Sequence, residues 1–264
     1  MTSWLEVTAG DAPLIVSIPH AGTDVPDDIG GPLSRSRARQ DTDFHVERLY
    51  AFASALGATL LRTRISRTVI DVNRDPSGAS LYPGQATTGL CPATTFDGSP
   101  LYESGRVPGD DEIARRRSCY FDPYHDALAA QIARLRTLHR AVVVYDAHSI
   151  RSRVPRLFEG ELPLFNVGSF NGASCAGALT DALAARCAPG SHVVNGRFQG
   201  GWITRHYGEP ANGIHAVQME LAMRGYLDEA GPWPPAWEAA RAEPLQRTLR
   251  LILGACLDFA AAQK

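Results

Sequence analysis

Cysteine is scarce in this chain and forms no pattern: Cys91, Cys119, Cys175, Cys187 and Cys256 are odd in number, widely spaced and without a CxxC pair. That argues against a disulfide framework and against a thiolate metal site, so any metal must be held by histidine and carboxylate. Long apolar runs are missing too, and nothing approaches the roughly 20 residues that a membrane helix needs. The opening stretch, MTSWLEVTAGDAPLIVSIPH, has no basic start followed by a long apolar segment and a small-residue cleavage site, so no signal peptide is read and a cytoplasmic protein without a membrane partner is expected. Neither sign of charge dominates: the formal net charge is −2, which leaves no basic surplus to hold a nucleic acid. No internal repeat, linker or heptad seam is present, so one domain is expected and the oligomeric state is not legible.

What is present suits a large α/β domain. The 264 residues are 44% hydrophobic and 20% charged, within the reach of one core. Short β-branched runs at 14–18, 59–61, 68–72, 141–145 and 215–221 read as mostly buried strands. Helical spacing lies between several of them. Val46, Leu49, Tyr50, Ala53 and Leu56 share one face and stop at Gly57, while Tyr124, Leu128, Ile132 and Leu135 follow Pro123, a residue suited to a first turn. A last helix is expected from near Pro235, with a break at Pro244 and an apolar face of Leu245, Leu249, Ile252 and Cys256. The alternation predicts a mixed, largely parallel central sheet with helices on both faces. Residues 75–108, rich in Gly, Pro, Thr and Ser, are too long for a plain connection and are expected to cover an active site.

Ligands in open α/β sheets bind beyond the carboxyl ends of strands. The first run ends at His20, the fourth at His148, and the last at Glu220, an acid in an otherwise apolar strand. Two histidines and a glutamate are the material of a catalytic zinc site and its general base. Zinc in a hydrolase takes three protein ligands and leaves one open position. For the third we favour Asp43, with Asp41 and His45 as rivals; the two aspartates could equally serve as acids at a helix start. Asp146, two residues before His148, is placed to hold the other ring nitrogen of a ligand. Arg67 and Asn73-Arg74 flank the third strand, and guanidinium with an amide beside it suits a carboxylate substrate; the alternative is an ion pair of Arg74 with Asp71 or Asp75. The loop from Gly200 to Gly208 presents Arg205, either to clamp a second carboxylate or as part of a surface turn with a buried Trp202. Tyr120, Tyr124 and His125 are read as packing residues.

Taken together, the stretches SIPHAGTDVP, DTDFHVERL, SRTVIDVNRDPSG, YDAHSI, GGWITRHYG and GIHAVQMEL resemble the N-formylglutamate amidohydrolase family of histidine degradation. The resemblance implies hydrolysis of N-formyl-L-glutamate to formate and glutamate on a fold similar to the zinc carboxypeptidases. It implies a metal site that includes His20 and His148, with Glu220 as base; one zinc ion on these two histidines and Asp43 is the expectation that combines it with the reading of the residues. It also implies Asn73 and Arg74 on one substrate carboxylate; from the residues, Arg67 or Arg205 is expected on the other or assisting the oxyanion. In the carboxypeptidase pattern the metal-binding acid stands three residues after the first histidine, where this chain has Thr23. A metallohydrolase for another N-acyl amino acid or a C-terminal peptide bond, and a non-catalytic amino-acid-binding module, are the alternatives.

Overall fold

The computed structural model describes residues 4–29 and 31–263. Seven strands form one sheet: β1 (Leu5–Thr8), β2 (Leu14–Ile18), β3 (Thr59–Thr63), β4 (Val142–Ile150), β5 (Phe165–Gly168), β6 (His192–Val194) and β7 (Ile214–Ala222). Their order is β1-β3-β2-β4-β7-β5-β6. The inner strands β3, β2, β4 and β7 are parallel, β1 and β5 run antiparallel to their inner neighbours, and β6 is parallel to β5. The expected mixed, largely parallel sheet in a single α/β domain is what the chain forms. Every residue of β4 is buried, as a parallel strand covered on both faces requires.

The helices are α1 (Arg35–Ala38), α2 (Val46–Leu49), α3 (Asp110–Arg116), α4 (Asp122–Arg136), α5 (Gly177–Cys187), α6 (Trp202–Tyr207) and α7 (Ala239–Ala262). Alternation along each strand sends side chains to opposite faces. Val143, Tyr145 and Ala147 of β4 pack with α2, α5 and α7, whereas Val142 and Val144 pack with α1, α4 and α6. The helical stretch ending at Gly57 is one turn of α-helix and then a 3-10 helix, Ala51–Leu56, closed by Gly57 at φ 75°.

Two expectations are corrected. The run 68–72 is not a strand. Its backbone groups go elsewhere: the Asp71 amide donates to the Leu90 carbonyl, and that of Arg74 to the Asp71 carbonyl. The Asp71 carboxylate also accepts from the Asn73 amide at 2.9 Å. Val69, Ile70 and Val72 fill the core on the α4 side, so burial selects their β-branched character without any ladder. The last helix begins at Ala239 rather than near Pro235, and it continues through Pro244. Pro244 stands in its second turn, where one missing backbone donor is offset by the packing of Leu245, Leu249 and Ile252. All five cysteines are free. Among the described residues no helix is long and apolar enough to cross a membrane.

Candidate active site

The polar residues of the central strands lie on one face by register. On β4, Asp146 and His148 share a face, and on β7, Gln218 and Glu220 sit directly beside them as the paired residues. His148 and Glu220 thus lie inside their strands, two residues short of the ends, while His20 follows β2 in a loop. The next segment brings in Asp43, whose amide donates to the His20 carbonyl at 3.0 Å and whose Oδ2 accepts from the Ser149 amide at 3.1 Å.

His20, Asp43 and His148 converge: their candidate ligand atoms lie within 4.8 Å of one another, and all three residues are buried. Each imidazole is anchored by its far nitrogen. His20 Nε2 donates to Asp71 Oδ1 at 2.7 Å, and His148 Nε2 lies 2.9 Å from both Asp146 Oδ2 and Asn73 Nδ2. A carboxylate accepts only, so His20 Nε2 carries a proton, and the Nδ1 of each ring faces the common centre. There His148 Nδ1 lies 3.2 Å from Asp43 Oδ2, while His20 Nδ1 and Asp43 Oδ1 are buried without any hydrogen-bond partner. Orphaned buried polar atoms are costly. Two nitrogens and a carboxylate aimed at one point, two of them unsatisfied, are a donor set that fits a metal ion. The rival ligands are occupied elsewhere: Asp41 accepts from the Phe96 amide at 2.6 Å, and His45 contacts the Pro235 carbonyl at 3.0 Å.

Electrostatics follow from this packing. Burial, helped by Arg67, lowers His20 to about 4 and keeps it neutral. Burial works against a charged His148 as well, but Asp146 and Asp43 outweigh it and hold its pKa well above the ordinary value. Burial pushes Glu220 up to about 8, with Asp43 and Asp146 adding to the effect and His148 and Arg67 opposing it. Gln218 steadies that carboxyl, donating to Glu220 Oε2 at 2.9 Å while accepting from the Gly201 amide at 2.7 Å. Gly201 is required there, because a Cβ would come within 2.5 Å of the Asn73 amide.

Residues 12–227 match the sequence model of the N-formylglutamate amidohydrolase family. The chain belongs to that family. It is 45% identical to the N-formylglutamate deformylase of Pseudomonas putida, over 99% of this chain and 98% of that one. It is 46% identical to the N-formylglutamate deformylase of Pseudomonas aeruginosa, with 98% of each covered. The fold is similar to the crystal structure of N-formylglutamate amidohydrolase from Ralstonia eutropha JMP134, with a TM-score of 0.81 at 24% identity, covering 97% of this chain and 98% of that one. A protein of Agrobacterium tumefaciens has the same fold, with a TM-score of 0.73 at 20% identity and coverage of 97% and 94%.

The site of this family member opens into a cavity bordered by His20, Arg67, Asn73, Arg74, His148 and Glu220 on the sheet side. Asp71, fully buried, organises that side. Its Oδ2 takes Arg67 Nη2 at 2.7 Å and faces Arg74 Nη2 at 3.7 Å, while its Oδ1 holds His20. Asn73 works as a brace, donating to Asp146 at 2.8 Å and accepting from the Ile203 amide at 2.8 Å. The facing wall comes from residues 75–108, through Tyr82, Ala86, Thr87, Thr88 and Phe96, and from Arg197 and Phe198. Arg205 is not on either wall: its Nε donates to the Gly200 carbonyl at 2.9 Å and its Nη1 to the Leu81 carbonyl at 2.8 Å. Sequence reading passed over Gln218 and Arg197. Gln218 could have been found, since it alternates with Glu220 as Asp146 does with His148; Arg197 lies in an irregular loop and carries no such signal.

Proposed function

We propose that this amidohydrolase hydrolyses N-formyl-L-glutamate to formate and L-glutamate, with one zinc ion held by His20, Asp43 and His148. The observation that carries the reading is the convergence of two buried imidazoles on Asp43, with His20 Nδ1 and Asp43 Oδ1 left unsatisfied, beside Glu220 and a cavity edged with guanidinium groups. The names of the curated relatives point to the same substrate. An N2O donor set with an open position suits zinc. When bound, the ion polarises the formyl oxygen and acidifies a water near neutral pH.

The chain's own groups do the rest. Glu220, whose burial raises its proton affinity, takes a proton from the attacking water as oxygen bonds to the formyl carbon. It returns that proton to the glutamate nitrogen as the carbon–nitrogen bond breaks, so formate and the free amine leave. Arg67, fixed by Asp71, lies beside the reacting centre and stabilises the oxyanion. Arg74, with Asn73 at its side, takes the α-carboxylate. Residues 75–108 close the cavity and exclude water. The expected route of glutamate formation is the last step of histidine breakdown, in the cytoplasm.

The test is formate release from N-formyl-L-glutamate against N-formyl-L-methionine and N-acetyl-L-glutamate, before and after chelation. Release from the first alone, abolished by chelator and restored by zinc, is expected. No formate from it refutes the reaction, and activity indifferent to chelation refutes the metal.

A further inference from the structure

Of the three guanidinium groups that border the cavity, two are matched by a carboxylate and one is not. Arg67 and Arg74 share Asp71, at 2.7 and 3.7 Å. Arg197 forms no ion pair among the described residues, although it is half-buried and faces the same space. It is held instead by two backbone carbonyls from separate segments: Nε donates to Leu157 at 2.7 Å and Nη2 to Ala86 at 2.7 Å. The rings of Tyr82 and Phe198 flank its guanidinium, each centroid 5.4 Å away. A guanidinium has five donors in a planar fork, so Nη1 and the second hydrogen of Nη2 are left for something that enters the cavity. A half-buried cation, with a positively charged neighbour in Arg74 and, among the described residues, backbone carbonyls as its hydrogen-bond acceptors, calls for an anion.

Position decides which anion. Arg74 belongs to the turn that also carries Asp71 and Asn73, the residues bracing His20 and Asp146, so it lies in the layer next to the metal site. The α-carboxylate is one carbon from the scissile nitrogen and belongs there. Arg197 comes from the opposite wall, with Leu157 and the 75–108 loop. We propose that Arg197 is the receptor for the side-chain carboxylate of the substrate and sets the preference for acidic over neutral N-acyl amino acids. The proposal rests on the deformylase reading above and goes beyond it in naming the group that reads the side chain. Because the fork is held before substrate arrives, little ordering is lost on binding.

The experiment compares the wild-type enzyme with Arg197→Gln and Arg197→Lys, zinc-loaded, on N-formyl-L-glutamate and N-formyl-L-glutamine. It also measures glutarate binding by calorimetry. For Arg197→Gln, KM for the glutamate substrate should rise roughly 10- to 100-fold, the loss of a charged hydrogen-bonded contact. kcat and the glutamine substrate should change little, and glutarate affinity should fall by a similar factor. Arg197→Lys keeps the charge without the fork and should lie between the two. Equal losses on both substrates, an unchanged glutamate-to-glutamine ratio, or a lysine variant indistinguishable from the glutamine variant overturns the proposal and leaves Arg197 a tie between loops. If the wild-type enzyme releases formate from neither substrate, the deformylase reading fails by itself, and the glutarate measurement alone decides Arg197.

Discussion

The two walls of the cavity hold their charges in different ways. On the sheet side three ionisable groups are each locked by a carboxylate: His20 by Asp71, His148 by Asp146, and Arg67 by Asp71. Strands or tight turns set those positions, and the groups are almost fully buried. On the facing wall, Arg197 and, just behind it, Arg205 are tied to backbone carbonyls of irregular segments and stacked on aromatic rings. Ion pairs on rigid elements place atoms within the tolerance that a metal and a proton transfer require. Carbonyl ties leave positive charge without a carboxylate partner, which suits capture of a small anion.

Substitutions can break that comparison. The largest effect is expected from Glu220→Gln, with turnover falling about 10²- to 10⁴-fold, the usual worth of a positioned acid–base group. Zinc content should stay at the wild-type level, whereas His148→Ala should lose metal and turnover together. Elemental analysis with formate-release kinetics checks both; near-normal turnover in Glu220→Gln would remove the proposed base.

Next in size is Asp71→Asn. It leaves His20 without its charged anchor and takes from Arg67 and Arg74 the carboxylate they share, so zinc affinity should drop about 10- to 100-fold. Competition with a chelating dye measures this, and wild-type affinity would show that the anchor is ornamental.

The sheet side should also titrate. Without metal, the raised pKa of His148 keeps a proton on the ring at neutral pH, between Nδ1 and Asp43. Metal uptake must displace it. Affinity should therefore fall as pH drops, by up to about tenfold per unit for one linked proton. Calorimetry in buffers of different ionisation enthalpy should find close to one proton released; none would mean that His148 is already neutral.

The smallest effect is expected on the other wall. Arg205→Ala removes ties to Gly200 and Leu81 but touches no cavity surface, so kcat/KM should change by a factor of about two to three. A loss as large as that of Arg197→Gln would move Arg205 into the site.

Much of the sheet side was legible beforehand. His20, His148 and Glu220 stand out because apolar strands rarely carry such residues unless they are paired or ligating, and Asp43 was favoured from its neighbourhood alone. The 68–72 run misled because β-branched residues fill a core whether or not their backbone ladders. Strands β1, β5 and β6 went unread because three or four residues give no period to count. For the Pro244 region, packing of the apolar face outweighed the local breaker signal.

The sequence by itself determined the class of sheet and the candidate residues, His20, Asp43, His148 and Glu220, that can hold a metal and a proton. These follow from hydrophobic period and side-chain chemistry, which are local. Which guanidinium meets the cavity was set by folding. Arg197 stands in a loop and Arg205 in α6 shortly after it, yet Arg205 is spent on carbonyls behind Tyr82 and Arg197 reaches the cavity. That choice depends on how residues 75–108 and the Leu157 segment close over the sheet, contacts distant in sequence that no local pattern records.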